Sequence, residues 1–584
     1  MLLRVALDMP ELPASRPPIP DLLSAEPAVR VSLAELRQDL VFAFATRGAS
    51  ETFDRALAEA TLPASRWDSA CFARDLFLSE LVERCMPIRI GGRAYGPCAT
   101  YLLRVLGAPP DDAAVVGFRR GVLAELAGSA DLRGEFEGIY VGLTQLRTLL
   151  CAGRIATQRG RRMEILRAAH QIFADLAGSF AGARSGLRRL RDFGEAVRAG
   201  EAYRRLDAII DHEQHLGTVD LRVRVGGDGE LKSFQIVAVR ENVENPFYKS
   251  PLVRLFNRIR FLFRGYRMNG AEVAERLLDD VFTSLEEPVA LLFQLLGDME
   301  VYLAGLGLMD VAQARGLEVC FPELVEHGEA GMDVRRLFNP LLFAGKGKKK
   351  VVPCDLRTEH PGSVVIVTGP NSGGKTRLLQ AVALAQLLGQ AGLFVPAASA
   401  RLPRFSGLFV SLIEEARADQ PEGQLGMELL RIRRMFEELE MGALVLLDEL
   451  CSGTNPSEGE EIARLVLSLL PELDAQVFIT THLLQLATRL SEDRPIARIE
   501  FLQVELDPQE RPTYGFVPGV AKSSLAHKTA ARLGVTRDEL LDLIAKKKRA
   551  PAAAPLPPPP SPPSPPFTEA PRAPAEARER VAAE

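Results

Sequence analysis

A glycine-rich segment in the second half of the chain constrains the fold most strongly. The sequence GPNSGGKT occupies residues 369–376, between an apolar run at 364–367 and an apolar helical pattern that extends to about residue 388. Glycines let a backbone wrap closely around a phosphate, while the lysine neutralises β- and γ-phosphate oxygens and the threonine hydroxyl binds magnesium. The order of strand, loop and helix predicts an α/β nucleotide-binding domain with a mostly parallel sheet.

Two further apolar runs end in residues that suit phosphate chemistry. The run at 443–447 leads into Asp448 and Glu449, and the run at 475–479 leads to His482. The carboxyl ends of parallel strands meet at one edge of a sheet. We therefore expect Asp448 to bind Mg²⁺, Glu449 to activate the attacking water and His482 to sense the γ-phosphate. A purely structural role for the lone histidine remains the alternative.

These patterns define a set of predicted site residues. The predicted catalytic residues are Lys375, Glu449 and His482, and the predicted magnesium ligands are Thr376 and Asp448. The residues predicted to bind ATP are Gly369, Pro370, Asn371, Ser372, Gly373, Gly374, Lys375, Thr376 and Arg377, together with Tyr514 further along the chain.

Taken in order, the motifs resemble the ATPase domain of the MutS DNA mismatch repair family. They are GPNSGGKT at 369–376, GLFVPA at 392–397, LVLLDELCSGTNPSEG at 444–459, TTH at 480–482 and YGFVPGVAKSS from residue 514. The resemblance is specific over about 335–540 and weaker over the helical residues before it. It implies an ABC-type P-loop ATPase that forms a homodimer, closes ATP and Mg²⁺ between its subunits and embraces double-stranded DNA with helical arms.

The resemblance also implies which residues lie at the dimer interface and which residue stacks against the adenine of ATP. It implies that two loops cross the interface, with the residues Gly423, Gln424, Gly453, Thr454 and Asn455. The segment 422–428 lacks the serine with which the family caps the γ-phosphate from the opposite subunit, so slow hydrolysis is expected. Val351 stands where the family often has an aromatic residue against adenine, which leaves Tyr514 as the predicted stacking residue.

Composition and periodicity divide the chain into four predicted parts. Residues 1–35 form a loose leader, and residues 36–335 form a mainly helical domain that resembles the MutS core, lever and clamp, with a hairpin at about 218–240. Residues 336–545 form the ATPase domain. Residues 546–584 form a disordered tail, because 551–584 hold 12 of the 40 prolines. We expect neither a separate mismatch-reading domain nor a nuclease-like C-terminal module.

The charge distribution does not decide whether the chain binds DNA. The net charge is −5, yet residues 154–205 carry twelve arginines against five acids, and residues 249–267 carry six basic residues and no acid. One interpretation is a surface that binds the phosphates of mismatched, branched or distorted DNA; the other is a set of solvated helix faces. The predicted DNA contacts are Arg188, Arg189, Arg191, Lys249, Arg254, Arg258 and Arg260.

A different class of function also fits the sequence. The acidic net charge and the proline-rich tail favour an ATP-switched dimeric scaffold for a protein partner, with little DNA binding or hydrolysis. The seven cysteines are scattered without a CxxC pair, which argues against a zinc knuckle and a disulfide framework. The start of the chain lacks an uninterrupted apolar leader, and apolar runs are too short to span a bilayer. These features predict a cytoplasmic protein, in bacteria one able to associate with the nucleoid.

Overall fold

The architecture is taken from a computed structural model of the chain. Residues 1–524 form one compact unit and residues 525–584 form a second. The structure describes residues 18–46, 50–151, 158–215, 217–225, 231–241, 270–344, 351–412, 424–450, 455–522 and 536–549. The predicted site residues that lie outside these ranges are Lys249, Arg254, Arg258, Arg260, Gly423, Gly453 and Thr454, and most of the predicted tail also lies outside them.

The first part of the larger unit is mainly helical. Its helices are α1 (Leu33–Ala45), α2 (Ser50–Ala58), α3 (Leu78–Glu80), α4 (Ala99–Gly107), α5 (Ala113–Gly128), α6 (Ala130–Cys151), α7 (Gln158–Gly178), α8 (Arg188–Ala199), α9 (Glu201–His215) and α10 (Gly270–Gln313). Two antiparallel strand pairs accompany them, β1 (Ile88–Ile90) with β2 (Arg93–Tyr95) and β3 (Gly217–Val225) with β4 (Leu231–Glu241). The predicted hairpin at about 218–240 is confirmed by the second pair.

Helix α10 is the core around which the other helices pack. Phe282 and Phe293 on α10 stack on Phe44 and Phe53, with ring centroids 4.0 and 4.1 Å apart. From Leu278 onward the helix has the length and hydropathy of a membrane span, but its apolar stretch is wholly buried inside the protein. Such burial is what a central helix of a folded core requires, because other helices surround it on all sides.

The second part of the larger unit contains a six-stranded sheet in the order β10-β11-β12-β8-β13-β14. Its first five strands are parallel and β14 is antiparallel, which confirms the predicted mostly parallel sheet. The strands are β8 (Val364–Thr368), β10 (Leu408–Ser411), β11 (Leu444–Leu447), β12 (Gln476–Thr480), β13 (Ile499–Leu506) and β14 (Pro512–Pro518). The helices are α11 (Lys375–Gln390), α12 (Gln424–Glu438), α13 (Pro456–Leu469) and α14 (Leu484–Asp493). The smaller unit contains α15 (Arg537–Arg549).

A second sheet shifts the predicted domain boundary. Its order is β5-β9-β6-β7, with β5 (Glu323–Val325), β6 (Asp333–Leu337), β7 (Cys354–Arg357) and β9 (Ser399–Pro403). Strands β5 and β6 precede residue 336, yet both pair with β9 of the second part. The second part therefore begins before residue 323 rather than at 336, since backbone pairing and not composition joins these strands to it.

The prediction of a loose leader is wrong for residues 18–35. Leu22 and Leu23 are fully buried, and the backbone N–H of Leu22 donates to Asp298 Oδ2 on α10 at 3.0 Å. The N–H of Arg30 donates to Gln294 Oε1 at 2.8 Å, also on α10. An extended segment has no helical periodicity, so its burial left no pattern in the sequence. Side chains of α10 supply the hydrogen bonds that a buried backbone needs.

A buried glutamate on α10 makes the folding free energy depend on pH. Glu300 is 1% exposed, and it accepts hydrogen bonds from the N–H of Cys98 at 2.8 Å and from the hydroxyl of Tyr140 at 3.3 Å. Burial nevertheless raises the pKa of Glu300 to about 7. Between its ordinary value and that pKa the folded chain holds a proton that the unfolded chain has lost, so stability falls as pH rises through this window.

We expect urea unfolding to show this fall between about pH 5 and pH 8. Glu300 should contribute up to about 3 kcal/mol, because each pKa unit corresponds to about 1.4 kcal/mol. Burial also raises the pKa of Asp298, two residues before Glu300. Glu300→Gln should flatten the dependence and Glu300→Gln/Asp298→Asn should flatten it further. An unchanged slope in the double variant would contradict the assignment.

Candidate nucleotide-binding site

The ends of three neighbouring strands bring the predicted site residues together. Strand β8 lies beside β12, and β12 lies beside β11, all parallel and in register. The loop 369–374 leaves the carboxyl end of β8, Asp448 directly follows β11, and His482 follows β12 by two residues. Residues from separate motifs thus meet at one sheet edge.

The loop after β8 requires glycine at two positions. Gly369 has φ +140°, and a Cβ atom there would lie 2.6 Å from Val504 Cγ2 on β13. Gly374, which caps the amino end of α11, has φ +93°. A side chain would strain the backbone at both sites. The loop therefore leads directly into the amino end of the 16-residue helix α11, where backbone N–H groups can bind an anion.

Lys375 is the first residue of α11 and is buried beneath the loop. Its Nζ donates hydrogen bonds to the carbonyl oxygens of Gly369 at 3.0 Å and Pro370 at 3.3 Å. Burial lowers the pKa of the ammonium group, and the nearby carboxylates of Glu449 and Asp448 partly oppose that shift. An ammonium group held by two neutral carbonyls is well suited to exchange them for phosphate oxygens.

The two predicted magnesium ligands are in direct contact. Thr376 Oγ1 donates to Asp448 Oδ2 at 2.6 Å. The other carboxylate oxygen, Oδ1, accepts a hydrogen bond from the hydroxyl of Thr480 at the end of β12. Mg²⁺ prefers oxygen donors and takes one or two from protein beside water and phosphate. This hydroxyl and carboxylate pair fits that ion.

Glu449 is held in an unusual backbone conformation beside His482. Its φ is +52°, and its N–H donates to Thr480 Oγ1 at 3.0 Å. His482 Nδ1 lies 3.9 Å from Glu449 Oε2. Left-handed backbone at a non-glycine residue is typical of functional sites. Thr480 therefore holds the Asp448 carboxylate and the Glu449 backbone, a role that the sequence pattern did not indicate.

A cavity of about 980 Å³ adjoins these residues, within the size range of ligand pockets. At the sides of the cavity lie Val351 and Tyr514, the two residues considered for adenine, and Phe77 of the helical part. Tyr514 is half exposed, and its ring lies beside Gly374. Sequence patterns gave no signal for Phe77, which is distant in the chain from every motif.

Three other predicted site residues, Asn455, Gln424 and Arg377, lie at or near the beginnings of helices. Asn455 caps α13 by accepting a hydrogen bond from the N–H of Ser457, and Gln424 begins α12. Arg377 donates to Gln380 Oε1 at 2.7 Å. Gln380 lies one turn along α11.

The arginines of α8 differ from one another in their contacts. Arg188 is exposed, and Arg191 donates to Glu195 Oε1 at 2.8 Å. Arg189 lies over the Phe118 ring at 4.6 Å and donates to the carbonyl oxygens of Asp21, Ser24 and Ala25. The structure thus gives Arg189 a packing role, which corrects its prediction as a DNA contact, because its hydrogen-bonding groups face protein carbonyls.

Comparison with known proteins supports the resemblance that was inferred from the order of the motifs. Residues 365–543 match the family model described as MutS domain V. The chain is 33% identical over 255 residues to the Endonuclease MutS2 of Thermomicrobium roseum, which is 41% of this chain and 31% of that protein. It is 31% identical over 309 residues to the Endonuclease MutS2 of Thermus thermophilus, which is 52% of this chain and 37% of that protein. Residues 365–543 of this chain are thus similar to domain V of the MutS family.

The MutS match is confined to part of each relative. A third relative, the Endonuclease MutS2 of Symbiobacterium thermophilum, is 35% identical over 241 residues, which is 40% of this chain and 29% of that protein. The chain thus spans about a third of the length of these curated relatives. The MutS domain V match includes the loop at 369–374, Asp448, Glu449 and His482. The similarity to MutS domain V therefore includes the residues that form the site.

Proposed function

We propose that this chain is an ATP- and Mg²⁺-dependent ATPase of the MutS family, and that it binds DNA as a homodimer. Its nucleotide cycle would control how tightly it holds mismatched, branched or distorted double-stranded DNA, in repair or in recombination. The observation that carries the proposal is the cluster of Lys375, Thr376, Asp448 and Glu449 at one sheet edge, within the stretch that matches MutS domain V.

Each residue of the cluster has a distinct chemical role in this proposal. Lys375 exchanges its two carbonyl contacts for β- and γ-phosphate oxygens, while Thr376 and Asp448 hold Mg²⁺. The ion, when bound, neutralises charge on the phosphates. Glu449 orients a water molecule and accepts its proton, and His482 orients Glu449 at the γ-phosphate side. The Thr480 hydroxyl donates to the Asp448 carboxylate and accepts from the Glu449 backbone N–H, which keeps both residues in position.

The dimer part of the proposal rests on the family resemblance. Gln424 and Asn455 would lie at loops that cross between subunits, together with Gly423, Gly453 and Thr454. The absence of a hydroxyl at 422–428 supports slow turnover, because the opposite subunit would then cap the γ-phosphate less well. ATP binding and closure, rather than rapid hydrolysis, would then be the main event of the cycle.

The DNA part of the proposal rests on fewer residues than the composition suggested. Several arginines of segment 154–205 have protein partners: Arg161 donates to backbone carbonyls, Arg162 pairs with Asp279 and Arg205 pairs with Glu201. Arg188 remains an exposed candidate, and the segment 249–267 lies outside the described residues. We therefore propose Arg188 and the basic residues of 249–267, with Arg191 in support, as the phosphate-binding set.

Binding that depends on this set should weaken steeply with salt. We expect duplexes with a mismatch, a loop or a four-way junction to bind more tightly than homoduplex, with affinity falling about tenfold or more between low and moderate salt. Fluorescence anisotropy with labelled DNA, with and without ATP, measures this. Lys249→Ala/Arg254→Ala/Arg258→Ala should reduce the salt slope, whereas Arg433→Ala, which removes one exposed charge on α12, should leave it unchanged.

The competing scaffold proposal makes the opposite prediction. A dimeric scaffold for a protein partner would bind ATP normally and show no measurable DNA affinity even at low salt. We infer a cytoplasmic location from the same considerations, because neither activity requires a membrane. ATP turnover with and without each DNA form, measured on the same preparation, separates the two functions.

A further inference from the structure

A segment of the helical part contacts the nucleotide-site region at several separate points. We refer to residues 67–85 as the bridging segment; it contains the 3₁₀ turn Ser69–Cys71, helix α3 and the π-helical turn Leu81–Cys85. Its contacts tie it to three different elements of the second part. They are Trp67 Nε1 to Phe405 O at 3.2 Å, Cys71 Sγ to Glu438 Oε2 at 3.1 Å, and Cys85 Sγ to Pro340 O at 3.1 Å.

Asp75 makes the central contacts of the bridging segment. Its carboxylate Oδ2 accepts a hydrogen bond from the N–H of Leu412 at 2.7 Å, directly after β10. Its carbonyl oxygen accepts one from Gln380 Nε2 at 3.2 Å, on the helix that begins with Lys375. Asp75 is 7% exposed, so water competes little for these bonds. The segment is thereby fixed against α11 and against the end of β10, an edge strand of the six-stranded sheet.

Phe77 follows at the wall of the cavity. Its side chain lines the same cavity as Lys375, Thr376, Asp448 and Glu449. The backbone at Phe77 is left-handed, with φ +50° and ψ +49°, which is costly for a bulky residue. Such strain persists only where the surrounding contacts over-determine it, and it concentrates at ligand sites. The contacts of Asp75 supply that constraint.

We propose that Phe77 is a nucleotide-contacting residue that the helical part contributes to the site, with Asp75 as its positioning residue. This inference rests on the proposed function, since it requires nucleotide in the cavity. Phe77 forms an apolar wall on which bound nucleotide packs. The bridging segment continues into the helical core. Nucleotide bound against Phe77 would therefore contact the first part of the chain directly.

A tryptophan at position 77 tests the contact. The chain has one tryptophan, Trp67, which is 6% exposed and contributes the same background to every variant. In full-length Phe77→Trp, titration with ATP and Mg²⁺ should change the emission and reach half-saturation at the Kd measured with radiolabelled ATP. Phe42→Trp is the matched control, because Phe42 is 58% exposed on α1 and does not line the cavity. Its emission should not respond.

Side-chain removal tests the energetic contribution. Phe77→Gly keeps the left-handed backbone without strain, so the fold should persist. It should raise the Kd for ATP about 3- to 10-fold, as expected for loss of an aromatic contact. Phe77→Leu should lose less. Asp75→Ala should raise the Kd similarly, and Asp75→Asn, which retains an acceptor oxygen, should restore most of the affinity.

The outcomes separate this inference from the function on which it rests. If wild-type protein fails to bind radiolabelled ATP, both are overturned. If it binds ATP while Phe77→Trp responds no more than Phe42→Trp, or while Phe77→Gly keeps the wild-type Kd, the role of Phe77 is overturned and the ATPase proposal stands. A saturating signal in Phe77→Trp that Lys375→Ala abolishes supports the contact.

Discussion

Replacement of Glu449 by glutamine is expected to lower kcat for ATP hydrolysis by about 10²- to 10⁴-fold, the usual contribution of a positioned general base. Glutamine keeps the size and the left-handed backbone position of the side chain, but it cannot accept a proton from water. The Kd for ATP should change little, because Lys375, Thr376 and Asp448 are the residues proposed to hold the phosphates and the ion. Phosphate release and radiolabelled ATP binding measure the two quantities separately.

Two comparisons make the Glu449 result interpretable. Glu437→Gln removes an exposed glutamate that pairs with Arg433 on the same helix, and it should leave turnover unchanged. Lys375→Ala should lose ATP binding as well as turnover. Wild-type turnover in both Glu449→Gln and Lys375→Ala would show that the measured activity arises elsewhere, for example from a contaminating enzyme.

Replacement of Arg30 by leucine is expected to destabilise the fold by about 3–5 kcal/mol, the cost of leaving a buried charge without its partner. Arg30 Nε and Nη2 donate to the two carboxylate oxygens of Asp21 at 3.1 and 2.8 Å. The two side chains are 5% and 0% exposed. Without the guanidinium, Asp21 keeps only backbone donors and a hydroxyl, in a core that also contains the carboxylate of Asp298.

Urea unfolding of matched variants checks this expectation. Arg37 pairs with Glu286 at the surface and is 42% exposed, so Arg37→Leu should cost at most about 1 kcal/mol. Asp21→Leu/Arg30→Leu should recover part of the loss, because both buried charges are then gone. An Arg30→Leu loss no greater than that of Arg37→Leu would mean that residues 18–31 contribute little to the folded core.

The core of the site was predictable because its residues are local to short motifs. Gly369 to Thr376 form one continuous loop and helix start, and Asp448 and Glu449 directly follow a strand of four buried apolar residues. Parallel strands place such endings at one edge whatever the rest of the fold does. Apolar runs followed by glycines or by acidic residues therefore predicted the strands, the loop and the two expected magnesium ligands together.

Other parts of the site depend on contacts between distant residues. Phe77 and Asp75 lie about three hundred positions before the residues that they adjoin, in a stretch without a motif. Leu22 and Leu23 are buried in an extended segment, whose composition resembles that of a loose terminus. Arg189 looked like a charged surface residue, yet its groups are engaged by carbonyl oxygens of that same segment.

The amino-acid sequence by itself determined the phosphate loop, the parallel sheet and the positions of Thr376, Asp448 and Glu449, because each follows from adjacent residues and strand periodicity. Only the tertiary structure decided which arginines remain at the surface, that residues 18–35 pack on the helical core, and that Phe77 lines the cavity beside Lys375. These features depend on which distant side chains satisfy a buried backbone or charge, and such pairing leaves no local pattern in the chain.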